Sequence, residues 1–228
     1  MRPSNGARFA ICTLTAALTA CSFIAPRSAP APTLSPTLSQ QELDVNSASS
    51  MVLVVDEIPP GWAAEDHHRS AGELSDTKRI QACLGATAPA RFTADVDGQD
   101  FTKGELQISS TVTITPTLKE ARRDLRVYTG ARFRPCLIGI ARADAGSDLA
   151  SISVHRISVD RYGDASFAYR LAATLQDKSH RSTFYNDVYF FVAGRAQVAL
   201  SLVNTGRPFP ASIARTLVRR LGKKIRTV

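Results

Sequence analysis

The chain has 228 residues, 44% hydrophobic and 21% charged, proportions of an ordinary soluble globular protein that buries a core without needing a metal. Both ends read as non-globular, so one domain fits better than two. A formal charge of +8 leans toward anionic partners.

Arg2 and Arg8 form a positive n-region, and Phe9 to Ala17 is a short, mostly apolar stretch that cannot span a bilayer. The next residues, Leu18-Thr19-Ala20-Cys21, resemble the lipobox of bacterial lipoproteins, whose cysteine is diacylated and becomes the new N-terminus. Residues 1–20 are therefore expected to be a signal peptide and Cys21 a lipid anchor to the membrane. Its removal takes away two positive charges and no negative one, so +8 becomes +6. From Ser22 to about Ser50 the chain is rich in Ala, Pro, Ser and Thr, which predicts a disordered tether over 21–50 and a folded domain over 51–228.

Cysteine usage then leaves an even pair. Cys12 departs with the signal and Cys21 takes lipid, so Cys83 and Cys136 remain, and export favours a disulfide between them. Two free thiols or half of a metal site is the competing reading, but no C-x-x-C or nearby His accompanies either.

Met51 to Val55 reads as a short strand or a buried helix end before the turn Pro59-Pro60-Gly61-Trp62. Ser75 is placed to cap a helix through Ile80 and Leu84, with Gly85 as its stop. Strands are expected near Arg91 to Val96 and over Leu106 to Thr115. Pro116 opens a helix with the face Leu118, Ala121, Leu125 and Tyr128, and Pro135 and Cys136 lie beyond it. Four β-rich runs follow: Ile152 to Val159, Ser166 to Leu175, Phe184 to Val192 and Ala196 to Val203. Their short connections imply antiparallel neighbours. Phe167, Tyr169 and Leu171 alternate with Ala168, Arg170 and Ala172, as in a sheet with one face on a core. The last element is a helix with the stripe Ile213, Leu217, Leu221 and Ile225, among Arg215, Arg219, Arg220, Lys223, Lys224 and Arg226. The fold class is α+β: an antiparallel sheet of five to six strands flanked by helices and closed by an amphipathic C-terminal helix.

Few residues promise chemistry. Asp66-His67-His68 is the one histidine cluster, without further ligands at metal spacing, so it reads as a solvated polar loop, with no metal and no cofactor expected. There is no G-x-S-x-G, S-x-x-K or H-E-x-x-H, and no catalytic residue is assigned. Trp62 reads as a core plug or a ligand edge. Tyr185, Tyr189 and Phe191 predict a second sheet face that is partly apolar, covered by a helix or lining a cleft.

The lipobox and Pro-rich tether, with Pro59-Pro60-Gly61-Trp62, Cys83-Leu84-Gly85, Arg134-Pro135-Cys136-Leu137, Gly194-Arg195 and Pro208-Phe209-Pro210, form a recurrent pattern. It resembles actinobacterial cell-envelope lipoproteins of PsbP-like fold, a group similar to the extracellular sensor domains of mycobacterial receptor Ser/Thr kinases. The resemblance implies an antiparallel sheet flanked by helices and a disulfide. One candidate disulfide stands where the sensor domains would have two, and no kinase domain or transmembrane helix is read. Signalling and ligand residues are therefore not carried over. The expected function is a non-enzymatic, sensor-like module on the outer face of the cell membrane, recognising an envelope ligand or a partner protein. The alternative is an interaction lipoprotein holding anionic envelope material on its basic surface; an envelope hydrolase ranks third, and nucleic acid is not an expected partner.

Replacing Cys21 by Ala is expected to move the protein from the membrane to the soluble fraction of a lipoprotein-processing bacterium and to abolish palmitate labelling. Undiminished labelling of the variant would sink the assignment.

Overall fold

The computed structural model describes residues 38–70, 78–85, 91–176 and 180–227. The leader, Cys12, Cys21, Ser75 and the connection at 177–179 lie outside the described residues.

The first element departs from the sequence expectation. Helix α1, Gln40–Met51, occupies the end of the stretch read as tether, so the folded domain starts before Met51. Ser39 caps it: its Oγ accepts from the Glu42 amide at 3.3 Å while the Ser39 amide donates to Glu42 at 2.6 Å. The buried stripe is Asp44, Ala48 and Met51. A stripe of one acid, one methyl group and a methionine only at the last residue carries almost no hydrophobic periodicity, which is why composition alone misread it. Of the two readings of Met51 to Val55, the helix end holds: α1 stops at Met51 and a single 3-10 turn spans Val55–Glu57.

The sheet has eight strands: β1 Ala63–Glu65, β2 Ala94–Asp97, β3 Asp100–Lys103, β4 Leu106–Ile114, β5 Leu149–Ile157, β6 Ala165–Gln176, β7 Arg181–Ala193 and β8 Ala196–Thr205. Its order is β1-β3-β4-β8-β7-β6-β5, with β2 also paired to β4, and every one of these pairings is antiparallel. The expected five to six strands become eight for two local reasons. All three residues of β1 are exposed, so it shows no alternation to read. The run through residue 103 divides at Gly98, where an added Cβ would lie 2.6 Å from Ser110 Oγ and the glycine amide donates to the Ser110 carbonyl.

Among the described residues four helices of 12 to 14 residues flank the sheet, α1 being the first. Helix α2, Leu118–Thr129, starts from a Thr117 cap, and α4, Ala211–Lys224, follows Pro210. Helix α3, Phe133–Ala145, forms the segment around Pro135 and Cys136, to which the sequence pattern assigns no element. Pro135 sits in its first turn, where an amide has no intrahelical acceptor, so the ring breaks no ladder bond. A further helical segment covers residues 78–83.

Both faces of the sheet are covered. On one, α1, the segment after it and α4 enclose a large core in which Leu53, Leu200, Leu202, Leu217, Leu221 and Ile225 are fully buried. Tyr189 and Phe191 belong to this core, and Trp62 packs against it with its ring 6.3 Å from that of Phe209, as a plug rather than a ligand edge. The Tyr162 ring lies on Gly222 of α4, where a Cβ would meet it at 2.2 Å. On the other face Phe133, Val154, Phe167 and Tyr169 form a smaller cluster under α2 and α3. The alternation along β6 thus marks two buried faces, not one buried and one solvated.

One ion pair anchors α1. Arg195, in the β7–β8 turn, donates to both oxygens of Asp44 at 2.9 and 2.6 Å and to the Thr115 carbonyl at 2.9 Å. The Arg195 bonds hold the Asp44 carboxyl down to about 2, against the cost of its burial. A depressed carboxylate stabilises the fold above its unfolded pKa, and that contribution is lost as pH falls from about 4 toward 2. Asp44→Ala is expected to cost on the order of 3 kcal/mol, because it leaves the guanidinium uncompensated. It should also flatten the acid limb in that window; an unchanged limb in urea titrations would rule the pair out as its source.

Candidate functional site

The second face does not close completely. Between β4 to β8 and the layer made by residues 78–85, α2 and α3 lies a cavity of about 160 Å³, partly open to solvent. Its size is comparable to the roughly 150 Å³ apolar cavity that stays dry and admits benzene.

The roof and the floor come from different parts of the chain. Ile80, Leu125, Tyr128, Phe133 and Leu137 form the roof. The roof is held together by the disulfide Cys83–Cys136, whose Cα atoms are 5.8 Å apart and which joins the helical segment at 78–83 to α3. It closes a loop with a sequence separation of 53, worth about 4 kcal/mol through the unfolded chain. Arg79 adds an ion pair to Asp144 on α3. The floor is aromatic: Phe167 and Phe190 stack at 4.8 Å, Tyr128 stacks on Phe190 at 5.7 Å, and the Tyr169 hydroxyl donates to the Tyr128 carbonyl at 3.2 Å. The sequence expectation put the spare apolar face on Tyr185, Tyr189 and Phe191; of these Phe191 borders the cavity, together with Val188 and Phe190, and both Phe191 and Tyr189 belong to the large core.

Polar groups border this apolar space. Thr111, Thr113, Asn186 and Gln197 line it. Asn186 is 2% exposed; its Oδ1 accepts from Ser201 at 2.9 Å, and its Nδ2 has no hydrogen-bond partner among the described residues. A buried donor left unpaired costs about 1 to 3 kcal/mol. Nothing in the sequence reading singled out Asn186. The signal was present, since Asn186-Asp187 interrupts the apolar run Phe184 to Val192. Asp187 has its own answer in Arg170, which donates to its two oxygens at 2.5 and 2.6 Å.

Beyond Thr111 and Thr113, on the same face, lie their β2 partners Asp97 and Asp95. Arg69 donates to Asp95 at 2.8 Å and to Asp97 at 2.7 Å, and Thr111 donates to Asp97 at 3.0 Å. Burial pushes the Asp95 carboxyl up to about 6; the bonds and charge of Arg69 oppose the shift, and the like charge of Asp97 adds to it.

The histidine pair is not a solvated loop throughout. His67 Nδ1 lies 2.8 Å from Asp100, and its side chain is only 9% exposed. Among the described residues no three His, Cys, Asp or Glu side chains converge as a metal site. Of the C-terminal basic residues, Lys224 is bonded to Glu57 and the Val52 carbonyl, and Arg226, just past α4, lies over the Tyr162 ring, while Arg215, Arg219 and Lys223 are exposed. Among the described residues that line the cavity there is no carboxylate, imidazole, amine or thiol. Among the described residues no helix is long and apolar enough to cross a membrane.

Fold and site together define an α+β domain with helices on both sides of an antiparallel sheet and a small apolar cavity under one of them. No family model matches the chain, and no curated protein matches it. Its neighbours among solved structures include the extracellular domain of PknH from Mycobacterium tuberculosis, at 11% identity and a TM-score of 0.42, covering 81% of this chain and 97% of that one. Another is LpqN of Mycobacterium tuberculosis, described as involved in cell envelope biogenesis, at 8% identity and a TM-score of 0.29, covering 75% and 78% of the two chains. At these identities no residue role passes from either protein to this one.

Because the Asp95 carboxyl is raised in the fold, the native state holds a proton that the unfolded chain has released between about pH 4 and 6. The Asp95 contribution to stability therefore falls as pH rises through that window. Asp95→Asn should remove that slope in chemical denaturation series; a slope equal to the wild type would show that Asp95 is ionised throughout.

Proposed function

We propose that the chain is a non-enzymatic binding module, tethered through Cys21 to the extracytoplasmic face of a membrane, that holds a small apolar ligand in the cavity beneath the disulfide-bound helices. The observation that carries this reading is the cavity itself: largely apolar, partly open, and bordered by a few polar side chains, the usual make-up of a small-molecule site. Its lining offers no acid, base or thiol nucleophile, which favours binding over catalysis. The disulfide is in keeping with an oxidising compartment, where the lipobox would deliver the chain. A sheet with helices on each face fits the PsbP-like arrangement inferred from the sequence pattern, and a sensor-like role follows if ligand binding alters what the domain presents to a partner protein.

The test uses the chain from residue 22 onward, exported into an oxidising compartment. Titration calorimetry with propylbenzene is expected to show one saturable site. Ala199→Phe, which places a ring in the cavity, should abolish the binding heat while keeping the thermal midpoint within a few degrees. Absent or unsaturable binding in the wild type, or equal binding by the well-folded variant, would remove the cavity from consideration.

A further inference from the structure

Among the described residues that line the cavity, Asn186 is the one with a fully buried side-chain polar atom left without a partner. It sits in the middle of β7 between Leu171 of β6 and Val203 of β8, a position that an apolar side chain would fill without cost. Its carbonyl oxygen accepts from Ser201, and its Nδ2 group is buried with no partner among the described residues. Thr111 donates its hydroxyl proton to Asp97, and Gln197 donates to Asp124 at 3.4 Å. Those groups already have partners inside the protein; the Asn186 donor has none. A donor held in place beside an apolar cavity selects an acceptor from whatever enters, because only an acceptor relieves the desolvated N–H.

Resting on the reading of the cavity as a ligand site, we infer that the occupant is a small carbonyl compound, a ketone, ester or amide. Its oxygen accepts from Asn186 Nδ2, and its hydrocarbon part, about the size of one benzene ring, packs against Phe167, Phe190 and Val188. Carboxylic acids and amines are disfavoured, since no lining side chain carries a full charge to offset the desolvation of theirs.

The test compares acetophenone with α-methylstyrene, which keeps the shape and replaces C=O by C=CH2, in the wild type and in Asn186→Leu. Calorimetry gives the four dissociation constants, and their double ratio cancels the different transfer of the two probes from water. The expected result is a shift of the ratio by about tenfold toward the hydrocarbon in Asn186→Leu, the size of one net hydrogen bond. In the wild type, the Asn186 side-chain amide protons should move downfield in NMR spectra with acetophenone and not with α-methylstyrene. That second readout stands if the variant fails to fold. Binding of both probes with an unchanged double ratio, or with unshifted amide protons, would overturn the role of Asn186 and leave the cavity as a purely apolar site. Binding of neither probe would overturn both.

Discussion

The pairing of Asp44 with Arg195 is the constraint on which the rest of the domain depends. An acid in the buried stripe of a helix is tolerated only with a partner, and Arg195 meets it with two hydrogen bonds from the β7–β8 turn. The same turn receives the Thr115 amide on the Arg195 carbonyl at 3.0 Å, so α1, the end of β4 and the β7–β8 hairpin meet in one place. With α1 fixed there, the following segment lies down the sheet. The Leu53 amide donates to Ser110 at 2.9 Å, and the Val52 carbonyl accepts from Lys224 at the end of α4 at 2.6 Å. The large core is closed by charged and polar ties at its rim, and its interior is left to Leu, Ile, Val and Phe.

The two faces of the sheet use their residues differently. The α1/α4 face is filled mainly by aliphatic side chains, with Phe101, Tyr162, Tyr189, Phe191 and Phe209 set among them. The α2/α3 face is built from rings, Phe133, Phe167, Tyr128, Tyr169 and Phe190, whose centroids lie 4.8 to 6.5 Å apart. Rings in offset and edge contacts are stiff and do not collapse into a gap as aliphatic chains do. The gap persists, and the disulfide keeps the roof from sliding across it. Asn186 then joins Thr111, Thr113 and Gln197 as the polar features of a largely apolar space.

Much of this fold was legible in the sequence. The meander β5 to β8 followed from four β-rich runs with short connections, and the buried stripe of α4 from Leu217, Leu221 and Ile225. What escaped did so for physical reasons. Helix α1 hides its inward face behind Asp44 and Ala48, whose burial rests on a partner far away in sequence. Helix α3 tolerates Pro135 because a proline in the first turn forfeits nothing. β1 is all exposed, and β2 and β3 divide at a glycine whose role is to let Ser110 approach. The cavity could be anticipated only as a cleft between sheet and helix. Its decisive residue, Asn186, is visible in the sequence as a polar interruption, but its meaning depends on which neighbour takes its oxygen and which leaves its nitrogen alone.

The order of the sheet also has a consequence for assembly. β4 is made early, yet its partner across the middle of the sheet is β8, near the end of the chain. The roof of the cavity, from residue 78 to Ala145, with its disulfide, is complete in sequence before any of β5 to β8 has been made. Long-range strand pairing is slow because loop closure precedes its reward. The cross-link joins two helices through cysteines 53 residues apart, with β2 to β4 between them and none of β5 to β8. Oxidation can therefore run ahead of folding, and the roof would be a finished, cross-linked unit waiting for the floor to arrive.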